Sequence, residues 1–323
     1  MEPGIYTIPY EQYEAAEGIS KHGLDALAIS PLHHWAYYRN PERGKQKDTP
    51  ARILGSAIHT SILEPERFDK EYVQEPDIKN FPKALDKLDD YKKACKELEL
   101  KITGTKPELK KQIQAVTKDI QFWDDIYEQQ TFGRIVLSES DWRTTRTITA
   151  KVRKHPAASE LLKYGQAEQS IFWVDPDTGV KCKGRIDWLA PKSPEGVIVF
   201  DLKSTTDASP DGFQRSVSKY RYYVQAAMYL DGLYEIGYDP DSFIFGAWEK
   251  HSPYAAALYY ATDGMLETGQ QEYKKLLKLY KQCLESDNWP GYSQDIQPMG
   301  MPEHFKPSSL SELETDWLEE MGA

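Results

Sequence analysis

The N-terminal part of the chain places apolar side chains at helical spacing. Residues 20–40 show this spacing on both sides of Pro31, and because proline interrupts a helix, two short helices are predicted. Residues 49–68 show it again and place Gly55 and His59 four residues apart on one face of a single helix. The missing side chain at Gly55 lets another group approach that helix closely.

A Lys-rich stretch follows and is also predicted to be helical. Residues 83–118 form two helical segments on either side of a break that Gly104 and Pro107 mark. This pattern predicts a helical hairpin inserted in a larger domain. The helical pattern then continues over residues 119–164.

In the middle of the chain the spacing of apolar residues changes from that of helices to that of strands. Three segments alternate or run apolar, are rich in β-branched and aromatic residues, and are separated by turn formers, so three successive strands are predicted at 168–174, 180–189 and 196–203. Further along, the pattern predicts a helix, two strands and a long helix, at 213–236, 243–250, 255–262 and 267–285. These elements predict an α/β domain over residues 1–306. Residues 307–323 read as an acidic amphipathic C-terminal tail, with Ser309 and Glu312 spaced as a capping box.

Composition and charge narrow the class of protein. The 323 residues include 40 Lys and Arg against 51 Asp and Glu, and the net charge of −11 argues against a protein that coats nucleic acid through bulk positive charge. No apolar run approaches the roughly 18 residues of a membrane span, and the acidic start lacks a signal-peptide layout, so a cytoplasmic location is expected. The three cysteines have no Cys-x-x-Cys spacing and indicate neither a disulfide framework nor a zinc site.

Two aspartates and a lysine lie close together in the strand region. If residues 180–203 form a hairpin, Asp187 and Asp201 occupy neighbouring strand positions, where two negative charges are unfavourable unless a divalent cation lies between them. Oxygen ligands of this kind favour Mg²⁺, for which Mn²⁺ can substitute. Lys203 shares the strand face of Asp201, where its ammonium can orient or activate a water. A metal, a positioned water and a cation are what in-line hydrolysis of a phosphodiester requires.

A series of short motifs resembles the PD-(D/E)xK nuclease superfamily in its RecB-like branch. In chain order they are Gly55-x-x-x-His59, Glu168, Gly184-x-x-Asp187, Asp201-x-Lys203 and Gln225-x-x-x-Tyr229. Four longer phrases further resemble the RecE (exonuclease VIII) group of phage and prophage exonucleases: GLDALAISPLHHW, RILGSAIHTSILEPERF, RTTRTITAKVRKHPAASELL and YRYYVQAAMYLDGL. The resemblance implies a fold like that of restriction endonucleases, a mixed β-sheet flanked by helices.

The resemblance to the RecE group also implies an activity. It implies a Mg²⁺-dependent exodeoxyribonuclease that degrades linear double-stranded DNA from 5′ to 3′, releases 5′-phosphomononucleotides and leaves 3′ single strands for recombination by strand annealing. The implied partners are double-stranded DNA ends, a recombinase of the RecT type and further copies of the chain in a ring-shaped homo-oligomer. Two alternatives stay open. One is a RecB-like nuclease of other polarity, or an endonuclease, acting with a helicase or defence complex, and the other is a non-catalytic protein that binds DNA ends.

The same resemblance implies roles for individual residues. Lys203 corresponds to the catalytic cation, and Glu168 to an acidic position that binds the metal through water or lies next to its ligands. Gln225 and Tyr229, one helical turn apart, are expected to orient Lys203 or a phosphate through hydrogen bonds. The expected catalytic residues are Glu168, Asp187, Asp201, Lys203, Gln225 and Tyr229. The expected metal ligands are His59, Asp187, Asp201 and the backbone carbonyl of Leu202.

Two basic windows are candidates for contact with DNA. Residues 142–155 hold five Arg or Lys and no acid, which makes this the most basic window of an acidic chain. A second group of basic residues lies just before Gln225. The expected phosphate-contacting residues are Arg143, Arg146, Lys151, Arg153, Lys154, Arg215, Lys219 and Arg221.

The Lys-rich insert has a resemblance of its own. Its phrase KKACKELELKITGTKPELKKQI is similar to the SAP motif, a small DNA-binding helical module, through the pattern Leu98, Leu100, Gly104-Thr105-Lys106 and Glu108-Leu109. Residues 83–118 hold ten Lys and six acids, a net charge of +4. The insert is therefore a candidate second DNA-binding unit, and an ordinary charged helical hairpin is the alternative.

Overall fold

A computed structural model describes residues 1–44, 49–193 and 196–300, in which helices and strands alternate. The strands are β1 (Gly4–Tyr6), β2 (Tyr72–Gln74), β3 (Ile135–Leu137), β4 (Gln166–Val174), β5 (Lys181–Pro191), β6 (Gly196–Thr205), β7 (Asp239–Glu249) and β8 (Ala256–Tyr260). The helices are α1 (Tyr10–Ala15), α2 (Lys21–Ile29), α3 (Pro31–His34), α4 (Pro50–Leu63), α5 (Pro65–Glu71), α6 (Leu88–Glu97), α7 (Lys106–Val116), α8 (Trp123–Thr131), α9 (Glu139–Lys154), α10 (Pro156–Leu161), α11 (Pro210–Lys219), α12 (Tyr222–Glu235) and α13 (Asp263–Ser286). A π-helical turn at Trp35–Arg39 and a 3₁₀ turn at Ile78–Asn80 complete the list.

A mixed sheet forms the centre of the described structure. Its strand order is β1-β4-β5-β6-β7-β8, and β2 and β3 form a small parallel pair apart from it. Neighbours in the large sheet run antiparallel except β6 and β7, which are parallel. The predicted α/β class with a mixed sheet flanked by helices is therefore confirmed, and so are the three successive strands in the middle of the chain.

Strands β5 and β6 pair along only part of their length. Their antiparallel register ends at Trp188 opposite Phe200. Beyond that point β5 continues to pair with β4, and β6 with β7. The two strands therefore part into a fork, and the first residues past the last pair are Asp187 and Asp201. We refer to this place, between β5 and β6 at Asp187 and Asp201, as the fork.

Two apolar clusters cover the opposite faces of the sheet. The first joins strand residues such as Val199 and Phe245 to α2, α11, α12 and α13. The second joins Phe200, Leu202 and Trp248 to α4 and α9. Alternate residues of β6 thus enter different clusters, as the two-residue period of a strand requires. Helices α4 and α9 lie on one face of the sheet, whereas α11 and α12 lie on the other.

The predicted helical insert folds as a hairpin with an apolar cluster of its own. Helices α6 and α7 enclose Tyr91, Cys95, Leu109 and Ile113, all of them buried. A capping box begins α7, where the Glu108 carboxylate accepts a hydrogen bond from the backbone N–H of Thr105 at 2.7 Å. The helical character agrees with the sequence pattern, and a SAP-like role in DNA binding stays a prediction.

The continuous helix predicted over residues 119–164 is wrong. The structure divides this stretch into α8, β3, α9 and α10. Strand β3 pairs in parallel with β2, with Ile135 opposite Tyr72. Because this pairing depends on a partner more than sixty residues away in sequence, local helical spacing carries no sign of it.

The helix predicted over residues 213–236 also divides in two. Helix α11 ends at Lys219, and Arg221 adopts a left-handed backbone conformation, with φ of 54°, before α12 begins at Tyr222. The break reorients the chain, so that α11 and α12 pack against the same face of the sheet as separate helices.

Two expectations concern the ends and the surroundings of the chain. The acidic tail predicted at 307–323 lies outside the described residues. Among the helices of residues 1–44, 49–193 and 196–300, none combines the length and the apolar character that a membrane span needs.

Candidate active site

Three carboxylates stand at one level of the sheet, one on each of three neighbouring strands. The β4–β5 register pairs Ala167 with Trp188 and Gln169 with Ile186, so Glu168 and Asp187 lie at the same level between these two pairs. On the other side of β5, Asp201 of β6 lies one residue past the last β5–β6 pair, Trp188 opposite Phe200, and so stands at the level of Asp187. Burial raises the pKa of Asp187 well above its usual value, and the neighbouring charge of Asp201 adds to this rise. Acids grouped in this way repel one another and attract a cation.

Lys203 follows Asp201 on the same face of β6, as strand alternation predicts. Its Nζ lies 2.7 Å from Asp201 Oδ2 and donates a hydrogen bond to Gln225 Oε1 at 3.0 Å. Burial alone would lower the pKa of this ammonium, but the charges of Asp201 and Asp187 outweigh it and raise the pKa above its usual value. Lys203 therefore keeps its positive charge at neutral pH.

Gln225 joins the lysine to the aspartate. It is buried on α12, where its Nε2 donates to Asp201 Oδ1 at 2.7 Å while its Oε1 accepts from Lys203. The amide thus occupies one oxygen of Asp201. The other oxygen, Oδ2, is buried and has the ion-pair contact with Lys203 but no hydrogen bond of good geometry. The predicted orientation of Gln225 toward the site is the one observed.

His59 reaches the fork from α4, on the opposite face of the sheet from α12. Its Nδ1 lies 3.4 Å from Asp187 Oδ2, and its ring hydrogen-bonds to the backbone of Leu202. Burial lowers the pKa of His59, and the charge of Lys203 lowers it further. The imidazole is therefore neutral at neutral pH, which is the form that binds metal ions. One helical turn away, Gly55 has open space where a Cβ would lie.

Glu168 has an unusual backbone for a strand residue. Its φ of 54° lies in the left-handed region, which non-glycine residues rarely occupy and which costs about 1–2 kcal/mol. Its carboxylate accepts a hydrogen bond from Arg185 Nε at 2.6 Å. The same guanidinium donates from Nη1 to the Ile8 carbonyl and to Ser170 Oγ, each at 2.9 Å. Arg185 of β5 therefore joins Glu168 and Ser170 of β4 to the N-terminal segment.

Tyr229 lies one turn after Gln225 and supports strand β5. Its hydroxyl accepts a hydrogen bond from the backbone N–H of Arg185 at 3.4 Å, and its ring packs where a Cβ of Gly184 would lie, 2.7 Å from Tyr229 Cε1. Its hydroxyl bonds to Arg185 and not to Lys203, and its orientation of a phosphate stays a prediction. The glycine of the Gly184-x-x-Asp187 motif is explained by this close approach of the aromatic ring.

Two residues at the fork were not among those predicted from the sequence. Arg185 holds Glu168, as described above. The Tyr222 ring centroid lies 4.5 Å from Lys203 Nζ and 5.8 Å from Lys21 Nζ, within range of cation–π attraction. Arg185 could have been predicted from the sequence, because it lies two residues before Asp187 and therefore on the same face of the strand. Tyr222 was not, because the break between α11 and α12 decides where it points.

The donors at the fork suit a divalent cation by their chemistry. Asp187 and Asp201 offer carboxylate oxygens, the Leu202 backbone offers a carbonyl, and His59 offers a neutral imidazole. The cation beside the buried Asp201 Oδ2 is the Lys203 ammonium, whose Nζ lies 2.7 Å away. Within the described ranges, no group of three or more His, Cys, Asp or Glu side chains forms a complete metal cluster. As placed, the Asp201 carboxylate is held by Lys203 and Gln225.

The residues predicted to contact DNA do not form one surface. Helix α9 carries one group of them on its solvent side: Arg143, Arg146, Lys151, Arg153 and Lys154. Arg215 and Lys219 lie on α11, against the other face of the sheet. Arg221 is only 17% exposed and pairs with Asp25 at 3.5 Å and Glu272 at 3.0 Å. Arg221 is thus mostly buried beside these carboxylates, and its contact with DNA stays a prediction.

Comparisons with known proteins bear on the family and the fold. The family model described as "PDDEXK-like domain of unknown function (DUF3799)" matches residues 23–300. No curated protein matches the sequence. The crystal structure of a protein named "Putative exonuclease" from Eubacterium rectale matches with a TM-score of 0.54 at 13% identity, covering 95% of this chain and 98% of that chain. A structure named SSO0001 also matches at 13% identity, covering 72% of this chain and 87% of that chain, but its TM-score of 0.27 is too low to inform the fold.

The matched family region and the fork coincide. Residues 23–300 include the candidate ligands and catalytic side chains of the fork, from His59 on α4 to Gln225 on α12. The likeness to the Eubacterium rectale protein extends over nearly the full length of both chains and, at that identity, is a likeness of fold. The chain belongs to the PDDEXK-like family DUF3799 and has the fold of the PD-(D/E)xK nuclease superfamily.

Proposed function

We propose that this protein is a Mg²⁺-dependent exodeoxyribonuclease that degrades linear double-stranded DNA from 5′ to 3′ and leaves 3′ single strands for recombination by strand annealing. The observation that carries the proposal is the fork itself. There Glu168, Asp187 and Asp201 lie at one level of the sheet and Lys203 lies 2.7 Å from Asp201. Family membership supports the nuclease class, and the resemblance to the RecE group supports the polarity.

The residues of the fork have complementary tasks in this proposal. His59, Asp187, Asp201 and the Leu202 carbonyl would hold the cation, which supplies a bound water of lowered pKa and neutralises charge on the phosphate. Lys203 keeps its positive charge and stabilises the negative charge that develops on the phosphate oxygens. Gln225 fixes the distance between Lys203 and Asp201 by bonding to both. The neutral state of His59 leaves a ring nitrogen free of a proton for the metal.

The partners follow from the resemblance to the RecE group. We propose that the substrate is a double-stranded DNA end, that the 3′ strand passes to a recombinase of the RecT type, and that several copies of the chain assemble as a ring around DNA. The products would be 5′-phosphomononucleotides. The ring and the recombinase rest on the resemblance alone.

One experiment separates this proposal from its alternatives. The protein is incubated with Mg²⁺ and linear duplex DNA labelled at the 5′ or the 3′ end, beside a closed circular duplex and an Asp201→Ala variant. We expect loss of label from 5′ ends first, an intact circle and no loss with the variant. Cutting of the circle would indicate an endonuclease, loss from 3′ ends a nuclease of other polarity, and binding without loss a non-catalytic DNA-end-binding protein.

A further inference from the structure

The solvent side of helix α9 lines a large basic groove. The groove has a volume of about 590 Å³, and its lining includes Trp142, Arg143, Arg146, Lys151 and Lys154. These residues come from the most basic window of a chain whose net charge is −11. The lining holds four cations and one acid, Glu139, so its net charge is +3.

The groove lies on the opposite side of α9 from the sheet. Ile148 and Val152 of α9 are fully buried against the sheet. Arg143, Arg146 and Lys154 face away from these two positions, because at 100° per residue each lies roughly 120° or more from both, whereas Lys151 lies at the side of the helix. The outer face of α9 is thus free of the apolar core.

Helix α4 separates the groove from the fork. Thr149 of α9 donates a hydrogen bond to Ser61 Oγ of α4 at 2.8 Å, so Ser61 faces α9. His59 lies two residues earlier on α4, which turns its side chain by about 200°, and it faces Asp187. Lys203 and Gln225 lie on the further face of the sheet. The groove is therefore a surface of its own and not a wall of the fork.

Two groove side chains, Arg146 and Lys151, are held in place by neighbouring groups. The Arg146 guanidinium lies over the rings of Phe68 and Trp142, at 5.6 and 5.2 Å from their centroids. Lys151 Nζ donates to the Pro253 carbonyl at 2.6 Å, which links α9 to the turn between β7 and β8. Fixed cations lose less conformational entropy when they bind an anion than free ones do. Arg146, which also lies 3.7 Å from Asp69, and Lys151 are thus partly fixed cations of the groove, whereas Arg143 and Lys154 are exposed on its surface.

The spacing of the cations suits a polyanion rather than a single anion. Arg143 and Lys154 are eleven residues apart on one helix, so about 16 Å separate them along its axis. Duplex DNA carries one negative charge per roughly 1.7 Å of axis, so several phosphates lie within that span. A small anion would contact only one end of the groove.

We propose that the outer face of α9 is a DNA-backbone exosite, which holds duplex DNA outside the fork. The inference rests on the proposed function for the identity of its ligand. The exosite binds phosphates through its four cations and does not read sequence, because phosphate contacts carry no sequence information. It contributes affinity for DNA and no chemistry.

The test measures binding without cleavage. Fluorescence anisotropy of a labelled duplex is followed with EDTA present, at several KCl concentrations, for the wild-type protein and for Arg143→Glu/Lys154→Glu. A matched control, Lys275→Glu/Lys278→Glu, makes the same change in net charge on the exposed side of α13. We expect the groove variant to weaken binding by about tenfold or more and to reduce the slope of log K against log salt by about 2. The control should keep the wild-type affinity and slope.

The outcomes distinguish the exosite from the proposed function. Wild-type protein that binds DNA through the groove but cleaves none would refute the nuclease proposal and keep the exosite. An unchanged dissociation constant in the groove variant, or an equal loss in the α13 control, would overturn the exosite. The milder variants Arg143→Ala and Lys154→Ala repeat the test with less change in charge, and each should reduce the salt slope by about 1.

Discussion

Glu168 lies at the level of Asp187 on the neighbouring strand, with a left-handed backbone and a carboxylate bonded to Arg185. The guanidinium contacts three separate groups and is 12% exposed. We expect Arg185→Met to lower the free energy of unfolding by about 2–4 kcal/mol, because it leaves Glu168 without its partner in a partly buried position. Urea denaturation measures this loss.

The control for Arg185 is an arginine with similar pairing on the surface. Arg67 pairs with Glu64 and Glu71 and is 43% exposed. Exposed ion pairs contribute little, so Arg67→Met should cost less than about 1 kcal/mol. Equal losses in the two variants would contradict a special role for Arg185.

Removal of Lys203 or Asp201 should stop the reaction. We expect Lys203→Met and Asp201→Asn each to lower the rate of DNA cleavage by about 100-fold or more, because each removes a charge that faces the phosphate or the metal in the proposed function. Initial rates on linear duplex at saturating Mg²⁺ measure the loss. Lys192→Met, which removes a lysine paired with Asp241 away from the fork, is the matched control and should keep the wild-type rate.

Gln225 should act on both the stability and the rate. Gln225→Leu keeps the side-chain size but removes the hydrogen bonds to Asp201 and Lys203. We expect a loss of about 1–3 kcal/mol in the free energy of unfolding, since Asp201 Oδ1 is left buried without a donor, together with a lower cleavage rate. Gln225→Glu retains the acceptor for Lys203 but places a second negative charge beside Asp201. This variant should also cleave DNA slowly. A wild-type rate in both variants would remove Gln225 from the site.

The ion pair between Asp175 and Lys274 gives a pH dependence that is independent of the fork. Burial alone would raise the pKa of Asp175, but hydrogen bonds from Lys274 and Thr178 outweigh it and lower the pKa. A lowered pKa in the folded state gives stability that is present above the unfolded value of about 3.9 and lost as the pH falls through the folded value. Asp175→Asn should therefore be less stable than wild type by about 1–3 kcal/mol at pH 7, and this difference should shrink below about pH 4.

The same pair offers a close control. Asp177 also lies 3.0 Å from Lys274 but is 62% exposed. Asp177→Asn should change the free energy of unfolding by less than about 1 kcal/mol at any pH, because solvent screens an exposed pair. Chemical denaturation at a series of pH values compares the two variants, and parallel curves for Asp175→Asn and wild type would contradict the assignment.

The fork could be predicted from the sequence more completely than the elements around it. The turn formers and alternating residues of β4, β5 and β6 are local signals, and once a hairpin is assumed, the meeting of Asp187 and Asp201 follows from register. The left-handed backbone of Glu168 and the parallel pairing of β2 with β3 depend on distant contacts and leave no periodic trace. The separation of the α9 cations from the fork could not be predicted from the sequence, because a sequence does not say on which face of a sheet a helix packs.

The register at the fork sets where the sequence can tolerate changes in length. Asp187 and Asp201 meet because each lies one residue past the last β5–β6 pair, Trp188 opposite Phe200. One residue added between Asp187 and Trp188 would turn Asp187 to the other face of its strand, as every odd shift of a strand does. Residues added between Pro191 and Gly196 would lengthen only the connection. Homologues should therefore vary in length at that connection and keep the spacing within both strands constant.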